Sequence, residues 1–342
     1  MPDIFDSRVM TRALHQMQPA HRFVLDTFYG DSDTHPTDNI SIDIFRGGRE
    51  IAPFQRPTAE GHVLADRGYE TGVAKAPYLK PKTRTDADDL LKRRPGENPY
   101  SDRSPQERGR EKLRTDMDRL RNGIRRREEW MATRGIVDGK VRVKGLDGAD
   151  NDVDYEIDYR MLDSHRVELT SADRWNDGGD PVTDLMKWMS LISRDSGLTA
   201  SHALVGEDVA RALLDNTKTQ NLLDNRRIEA GQLELRQQGG RGVIYLGNIG
   251  VDLYQYNEFY EDPASGDLKP IVPADRVVVG SADAYCKRHY GVIQDVHAGN
   301  PEVEYFAKSW MDQDPPVRWV QVQSSPLPVP HQIDGFVSAK VI

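Results

Sequence analysis

The stretch from Ser104 to Gly135, SPQERGREKLRTDMDRLRNGIRRREEWMATRG, constrains the fold most because it predicts one long uninterrupted helix. Ser104 is a favourable N-cap, Pro105 suits the first helical position, and Glu107 completes a capping box. Gly135 is the residue type that ends helices in the left-handed conformation. At about 1.5 Å per residue the helix would be roughly 45 Å long, longer than most domain cores are wide. We therefore expect it to lie along one face of a flat, extended body.

The apolar residues of this predicted helix form one narrow stripe, its core face. The members of the stripe are Leu113, Met117, Leu120, Ile124 and Met131. Charged residues surround the stripe, so we expect the other faces to be solvated or paired at i,i+4. The basic run Arg125–Arg127 raises nucleic-acid contact as an alternative, but Glu128 and Glu129 follow at once. An ordinary amphipathic helix with a solvated face is the other interpretation of this segment.

Composition indicates a molecule with much surface for its volume. The chain has 342 residues, of which 37% are hydrophobic and 30% charged, and its mean hydropathy is −0.68. A chain of this length exceeds what one core usually supports, so two or more lobes are expected. The formal net charge is −9, whereas proteins that grip a phosphate backbone are normally basic. Any contact with DNA is therefore expected to be non-adhesive.

Cysteine content and hydropathy narrow the cellular setting. The single cysteine, Cys286, excludes an internal disulfide and a cysteine-based zinc site, and it fits a reducing compartment. The sequence shows no apolar run of about 18 residues and no apolar core of a signal peptide near its start. We therefore predict neither a membrane span nor a secretion signal.

The first 39 residues carry apolar groups but too few to form a core. Ser7–Met17 predicts a short helix, and Phe23–Tyr29 is a second short apolar patch. We interpret this region as an arm that becomes ordered on neighbouring molecules. A terminal helix docked on its own domain is the alternative.

Residues 47–99 alternate prolines with glycines and contain few apolar side chains. So long a segment with so little apolar content cannot pack as a domain, which leaves a disordered linker or an extended hairpin. A disordered linker would lack Phe54, Tyr69 and Tyr78. We therefore predict a projecting hairpin over about residues 49–84 that lies on another molecule.

The rest of the chain predicts an α+β body. The predicted elements are a strand at Ile40–Ile44, a strand at Val141–Val143, a helix that is capped at Asp180-Pro181 and ends before Gly197, a strand at Ala203–Val205, a helix from Glu207 to Leu214, and strands at Val243–Leu246, Val251–Tyr260, Ile271–Val272 and Arg276–Gly280. Asp262–Gly266 is predicted to be the turn of a hairpin.

The acidic run Asp147–Asp158 raises the possibility of a calcium loop. The residues at the first ligand positions would be Asp150, Asp152 and Asp154. However, Tyr155 stands where such loops need glycine, and Met161 stands where they need glutamate. The alternation of Val153, Tyr155, Ile157 and Tyr159 instead favours a strand with an acidic outer face.

Motifs of catalysis are missing from the sequence. It contains no GxxxxGK[ST], GxGxxG, GxSxG or HExxH pattern, and no nucleophile motif surrounds Cys286. His289, Asp295 and His297 lie close together, but no further ligand stands at a telling spacing, so a chance grouping is favoured. We predict no enzyme, no cofactor and no metal site.

The order of motifs over almost the whole chain resembles the lambda-type tailed-phage major capsid protein family, the phage capsid E family. The C-terminal motifs are YGVIQD at 290–295, KSW at 308–310, VQVQSSPL at 320–327 and DGFVSAKV at 334–341. The upstream motifs are YLKPK at 78–82, LKRRP at 91–95, NP at 98–99 and the patch at 23–29. The likeness is weakest over residues 214–241, and it depends on order and spacing rather than on any single motif.

This resemblance implies the Hong Kong 97-type capsid fold, an α+β fold. The implied parts are an N-terminal arm at 1–39, a strand plus extended loop at 40–100 with its hairpin at about 49–84, a peripheral domain at 101–179 with a spine helix at 104–135, an axial domain at 180–283 and peripheral return strands at 284–342. Inter-subunit contacts are expected from the arm, the loop and the loop base. The candidates are Phe23, Phe28, Tyr29, Phe54, Tyr69, Tyr78, Lys80, Lys82, Arg93 and Arg94.

The resemblance also implies a function and partners. The chain would assemble as hexamers and pentamers into the icosahedral head of a tailed phage, in the host cytoplasm, and become part of the virion. Implied partners are other copies of itself, a scaffolding protein, a portal protein at one vertex, a decoration protein at three-fold positions and non-specifically packaged double-stranded DNA, with no membrane. No cleavable assembly domain is visible before the arm, so we expect a separate scaffold. The alternatives are an encapsulin-like nanocompartment shell and a soluble DNA-binding protein, which the net charge disfavours.

Overall fold

A computed structural model describes most of the chain. The described residues are 5–16, 22–47, 51–58, 60–61, 63, 68–86, 89, 91, 104–145, 153–220, 236–238, 241–246, 250–314 and 316–342. The helices are α1 (Ser7–Gln16), α2 (Phe23–Phe28), α3 (Pro105–Asp138), α4 (Pro181–Ser196) and α5 (Glu207–Asp215). The strands are β1 (Asp31–Thr34), β2 (Asn39–Phe45), β3 (Tyr69–Lys75), β4 (Lys82–Thr85), β5 (Lys140–Lys144), β6 (Asp154–Asp158), β7 (Arg166–Glu168), β8 (His202–Val205), β9 (Arg236–Gln238), β10 (Arg241–Leu246), β11 (Val251–Gln255), β12 (Phe259–Glu261), β13 (Leu268–Pro270), β14 (Arg276–Gly280), β15 (Cys286–Tyr290), β16 (Phe306–Gln313), β17 (Pro316–Gln323), β18 (Pro326–Pro330) and β19 (Phe336–Lys340).

The long helix α3 begins where the sequence predicts and ends later. The Ser104 hydroxyl accepts a hydrogen bond from the Glu107 amide, and the Glu107 carboxylate accepts one from the Ser104 amide at 2.9 Å, so the capping box is confirmed. The predicted stop at Gly135 is wrong, since the left-handed cap is Gly139 with φ of +71°. A Cβ atom on Gly135 would lie 3.1 Å from the Tyr159 ring. Gly135 therefore serves close packing rather than termination.

All five residues of the predicted core face are buried, but they serve two cores. Leu113, Met117, Leu120 and Ile124 pack with α1 and with the pair β16–β17, whereas Met131 belongs to a larger core around α2, β2, β5 and β18. The expectation that the remaining faces are solvated is wrong for the second half of the helix. Its buried charged residues are Arg121, Arg125, Glu128 and Glu129.

A seven-stranded mixed sheet forms the second large unit, in the order β7-β19-β14-β8-β11-β10-β9. Every second side chain along its strands, mostly valine or alanine, packs against the helices. The helix residues in this core include Leu185 and Ile192 of α4 and Val209 and Leu213 of α5. The predicted caps of α4 are confirmed, because the Asp180 carboxylate accepts the Thr183 amide and Gly197 is left-handed. In this sheet β19 pairs with β7 on one side and with β14 on the other, so the last strand of residues 284–342 lies between the expected peripheral and axial parts.

Smaller sheets surround the long helix. The three-stranded sheets are β1-β15-β18 and β16-β17-β4, and the two-stranded sheets are β2-β3, β5-β6 and β12-β13. The predicted hairpin at 49–84 is displaced in the structure: β2 pairs antiparallel with β3, from Asn39–Lys75 to Phe45–Tyr69, whereas β4 pairs with β17. The alternating isoleucines at 40, 42 and 44 therefore form one leg of the hairpin.

The acidic run is a strand where the structure describes it. Asp154 opens β6, and its carboxylate lies 2.7 Å from Nη2 of Arg142 on the paired strand β5. Asp150 and Asp152 lie outside the described residues. Across the described ranges, no three His, Cys, Asp or Glu side chains are placed to hold a metal ion. In the same ranges, no helix combines the length and the apolar character needed to cross a bilayer.

Candidate subunit interface

The segment between β2 and β3 exposes large apolar side chains. Phe54 is fully exposed, and Ile51 and Val63 are nearly so. Residues 51–56 of this loop have no regular secondary structure. Exposed apolar residues grouped on one segment are typical of a surface that another molecule covers. Loop residues 51–63, as far as the structure describes them, are named here the apolar loop.

The base of the apolar loop is a hairpin with one open edge. Ile40, Ile42 and Ile44 bury one face of β2 in the large core. β3 pairs with β2 and with no other strand in the described part of the chain, and its Tyr69 and Val73 are exposed. The Lys75 carbonyl at its end accepts the Tyr155 hydroxyl at 3.1 Å, and the rest of its outer edge presents backbone groups to which another strand can bind.

The predicted contact residues after β3 lie on the sheet β16-β17-β4. The Tyr78 hydroxyl donates to Gln323 Oε1 at 2.5 Å, and burial raises the pKa of Tyr78 to about 12. Lys80 and Lys82 are exposed, and Lys82 Nζ lies 4.5 Å from the centroid of a Trp319 ring. The two lysines place positive charge on this surface, whereas the half-buried Tyr78 is hydrogen-bonded within its own chain. Arg93 and Arg94 lie outside the described residues.

The N-terminal candidates lie in the chain's own core. Phe28 and Tyr29 are buried there, and the Phe28 ring packs edge-on against Phe336 at 5.2 Å. Phe23 is half-buried against Tyr254, with ring centroids 4.8 Å apart. The expectation that Phe28 and Tyr29 face a neighbouring subunit is therefore wrong, and the docked alternative holds for this patch. It holds for α1 as well, since Met10 and Leu14 pack against β16 and β17.

Glu129 explains why this patch docks on its own chain. Its carboxylate accepts hydrogen bonds from the backbone amides of Val24 at 2.8 Å and Leu25 at 3.1 Å. The Tyr256 hydroxyl donates to the same carboxylate at 2.5 Å. The carboxylate thus satisfies the free amides at the start of α2 from inside the core. Burial raises the pKa of Glu129, and these hydrogen bonds oppose that rise.

Glu128 makes a second buried contact with the same segment. Its carboxylate lies 3.5 Å from Nη1 of Arg22, and the Tyr305 hydroxyl donates to it at 2.9 Å. Burial raises the pKa of Glu128 to about 7, against the attraction of Arg22. This role was not predicted from the sequence. The signal was present, because the seven-residue gap between Ile124 and Met131 leaves one position on the buried stripe, and Glu128 occupies it.

Three histidines form a hydrogen-bonded row beside the hairpin base. His35 Nε2 lies 2.8 Å from His289 Nδ1, and His289 Nε2 lies 2.9 Å from His331 Nε2. His331 Nδ1 lies 2.6 Å from the Asp43 carbonyl oxygen of β2. Because that oxygen can only accept, His331 Nδ1 donates to it. If the His331 and His289 rings are neutral, His289 then donates to His331, and His35 donates to His289.

Burial and neighbouring rings favour the neutral forms of His289 and His331. Desolvation, followed by the charges of His331 and His35, lowers the pKa of His289 to about 4. Desolvation also lowers the pKa of His331. His289 does not join Asp295 and His297, since Asp295 instead pairs with Lys308 Nζ at 2.5 Å. The grouping of these three residues in the sequence is thus a coincidence.

The family model described as "Phage major capsid protein E" matches residues 6–341 of the chain. The chain belongs to this family. The capsid protein is 27% identical over 350 residues to the P21 prophage-derived major head protein of Escherichia coli O6:H1, covering 99% of each chain. It is 26% identical over 326 residues to the major capsid protein of Escherichia phage lambda, covering 93% of each. These matches favour the phage capsid over the nanocompartment and DNA-binding alternatives.

Solved structures support the fold. The putative capsid protein of a prophage from E. coli CFT073 superposes with a TM-score of 0.70 at 23% identity, covering 97% of this chain and 96% of that one. A phage-related protein from Bordetella bronchiseptica RB50 gives a TM-score of 0.57 at 12% identity, with the same coverage. The expected Hong Kong 97-type α+β capsid fold is thereby confirmed. As a major capsid protein, the chain forms a multimeric shell and is a component of the virion.

Proposed function

We propose that this capsid protein is the repeating unit of an icosahedral tailed-phage head, closing into hexamers and pentamers around double-stranded DNA in the host cytoplasm. The observation that carries the proposal is the apolar loop, whose Phe54 is fully exposed in the single chain. Exposing an apolar ring to water is unfavourable in free energy, and burial of the ring against a neighbouring subunit removes that penalty.

The contacts that close a ring are heterologous, because one surface of each copy meets a different surface of the next. The apolar loop supplies the first surface, and the exposed lysines beside Trp319 are candidates for a second. The hairpin base fixes the direction in which the loop projects, since β2 is anchored in the large core through its three isoleucines. The subunit then divides into the expected arm, spine, axial and peripheral parts, with β2–β3 as the hairpin and with the spine helix extending to Asp138.

The remaining partners follow from the same surfaces. The open edge of β3 fits a decoration protein that adds a strand at three-fold positions. A separate scaffolding protein guides assembly, and a portal protein replaces one pentamer at a single vertex. The net charge of −9 allows the inner surface to contact packaged DNA without binding it tightly.

The test replaces the apolar loop's exposed side chains and leaves its backbone intact. We expect Ile51→Ser/Phe54→Ser/Val63→Ser to give a folded, soluble subunit, because none of these side chains belongs to a core cluster. The same variant should form no shells when it is co-expressed with its scaffold, since the surface that seats on the neighbour is lost. Negative-stain microscopy and sedimentation of the lysate measure the outcome.

A matched control removes exposed apolar groups elsewhere. Leu268 and Val296 are also highly exposed but lie outside the apolar loop, so Leu268→Ser/Val296→Ser should assemble normally. Shells of normal size and yield from the loop variant would refute the assignment of the loop to the subunit interface. Equal loss of assembly in both variants would show that exposed apolar area in general, and not the loop, drives association.

A further inference from the structure

A cluster of arginines lies buried between the long helix, the sheet β1-β15-β18 and the start of α2. Arg125 is only 6% exposed, one helical turn before Glu128, and its guanidinium lies 5.9 Å from the centroid of the Tyr305 ring. Arg22 contacts Glu128 directly. Arg22, Arg288 and Arg125 are each close enough to attract the charge of that carboxylate.

The alternation of β15 explains how its side chains reach this cluster. Arg288 and Tyr290 are two residues apart on one strand and therefore point to the same face. Tyr290 packs against Tyr305, with ring centroids 6.2 Å apart, and its hydroxyl is buried. His289 points to the opposite face, toward His35 and His331. The arginine cluster and the histidine row are thus separate.

The cluster contains buried hydrogen-bond donors that meet no acceptor within the described part of the chain. They are Nε of Arg22, Nε and Nη1 of Arg125, Nε of Arg288 and the hydroxyl of Tyr290. The four nitrogens can only donate, and the hydroxyl can donate. Buried donors are almost always satisfied in folded proteins. A ligand that offers several acceptors would satisfy them together.

The balance of charge indicates the same type of ligand. Three guanidinium groups face the buried carboxylate of Glu128, whose own pKa is raised by burial, and half-buried Glu304 is a second acidic group near Tyr290. Asp26 also pairs with Arg22 at 3.3 Å, but half of its side chain is exposed, so it compensates weakly. Burying a positive charge without a counter-charge is expensive. A multiply charged acceptor would satisfy the donors and the excess charge together.

We propose that this cluster binds one small tetrahedral oxyanion of the phosphate or sulfate class, held by the Arg125 guanidinium, the Nε–H groups of Arg22 and Arg288, and the Tyr290 hydroxyl. Such an anion presents acceptors in several directions and forms short charge-assisted bonds with arginine. It also links the start of α2 to α3 and β15, and so fastens the N-terminal segment to the body. The near-complete burial of Arg125 and Tyr290 selects a free ion over a phosphate that is part of a polymer.

The test measures the melting temperature of the full-length subunit as inorganic phosphate replaces chloride at constant ionic strength, with sedimentation confirming that assembly is unchanged. Phosphate should raise the melting temperature of the wild type progressively, as a ligand of the native state does. Arg125→Met removes the central guanidinium at similar volume and should weaken phosphate binding about tenfold or more. Arg126→Met, at the exposed neighbouring position, is the matched control and should retain the wild-type response.

Two further variants keep the test decisive if Arg125→Met does not fold. Tyr290→Phe removes a hydroxyl that has no hydrogen-bond partner among the described residues, so the variant should fold and bind phosphate several-fold more weakly. Glu128→Gln removes the competing negative charge and should bind phosphate several-fold more tightly. A response to phosphate that equals the response to chloride would overturn the proposal, as would equal responses of the wild type, Tyr290→Phe and Glu128→Gln. Stabilisation by a short DNA duplex that depends on Tyr290 would overturn the choice of a free ion.

Discussion

Two N-terminal regions that carry apolar side chains differ in where they find their contacts. The segment Phe23–Tyr29 and the apolar loop are both short, and neither has enough apolar side chains to form a core alone. In the structure, the first is buried in the large core, whereas the second leaves Phe54 fully exposed. The apolar content of a segment therefore does not decide whether it docks on its own chain or on a neighbour.

Polar groups elsewhere in the molecule make the difference. Glu129 lies where the free amides of α2 arrive, and Glu128 lies beside Arg22. A docked segment must have its backbone groups satisfied as well as its apolar surface covered. No such carboxylate meets the described residues of the apolar loop, 51–58, 60–61 and 63. The loop thus remains free to use a partner molecule.

The largest expected effect comes from the same substitution made in both regions. Phe28→Ala should destabilise the subunit by about 3–5 kcal/mol, because it leaves a cavity against Phe336 in the large core. Phe54→Ala should change the stability of the subunit by less than about 0.5 kcal/mol, because the ring contacts solvent. Chemical denaturation of unassembled protein measures both values. Equal costs for the two substitutions would abolish the contrast between the regions.

A smaller effect is expected where the docked segment is anchored. Glu129→Gln keeps the volume of the side chain but replaces one of the two carboxylate oxygens that accept the Val24 and Leu25 amides. The substitution should lower the free energy of unfolding by about 1.5–3 kcal/mol. Glu111→Gln on the exposed side of the same helix is the control and should cost less than about 0.5 kcal/mol. Denaturation curves that coincide for the two variants would show that the carboxylate does not hold α2.

Alanine substitutions at two glycines of the long helix distinguish the effect of packing on stability from the effect of helix propensity. Gly135→Ala should destabilise by about 1–2 kcal/mol, because its Cβ would press on Tyr159 and lie near the Tyr29 hydroxyl of the docked segment. Gly123→Ala meets nothing within 4 Å and should stabilise by up to about 1 kcal/mol. Thermal unfolding compares them. Stabilisation by both alanines would mean that the docked segment does not press on this face.

The smallest expected effect is the pH dependence of the histidine row, which joins the chain after α2 to the hairpin base. The pKa of His289 is lowered on folding, so its neutral form contributes stability that is present above pH 6.5 and lost as the pH falls toward 4. The stability difference between wild type and His289→Gln should therefore shrink by less than about 1 kcal/mol between pH 7.5 and 6.

Comparing the wild type with His289→Gln at each pH cancels the contribution of Glu128, which both proteins share and which has the opposite pH dependence. The raised pKa of Glu128 contributes stability below its ordinary value of 4.5, and this is lost as the pH rises through about 7. His297→Gln, at an exposed position outside the row, is the control substitution. A difference for His289→Gln that grows on acidification would contradict a neutral His289.

Local features were predictable from the sequence because their determinants are neighbours in the chain. The capping box at Ser104, the isoleucine alternation of β2 and the glycine after α4 each need only a few residues, and all are confirmed. The order of motifs over the whole chain likewise carried the family assignment.

Features that depend on distant residues were missed for a physical reason. Gly135 and Gly139 are equivalent stop signals until Tyr159 is placed beside the first of them. Glu128 and Glu129 look like solvated charges until Arg22 and Tyr256 arrive from other parts of the chain. The side chains that decide these cases lie far away in sequence, and periodicity carries no information about them.

Hydrogen–deuterium exchange of the subunit before and after shell assembly tests the central contrast most directly. We predict that amides of residues 23–29 are protected in the unassembled subunit and that assembly changes them little. We predict that amides of residues 51–58 exchange rapidly in the unassembled subunit and become protected in shells. Protection of residues 51–58 in a lone subunit, or their continued rapid exchange in completed shells, would contradict the account.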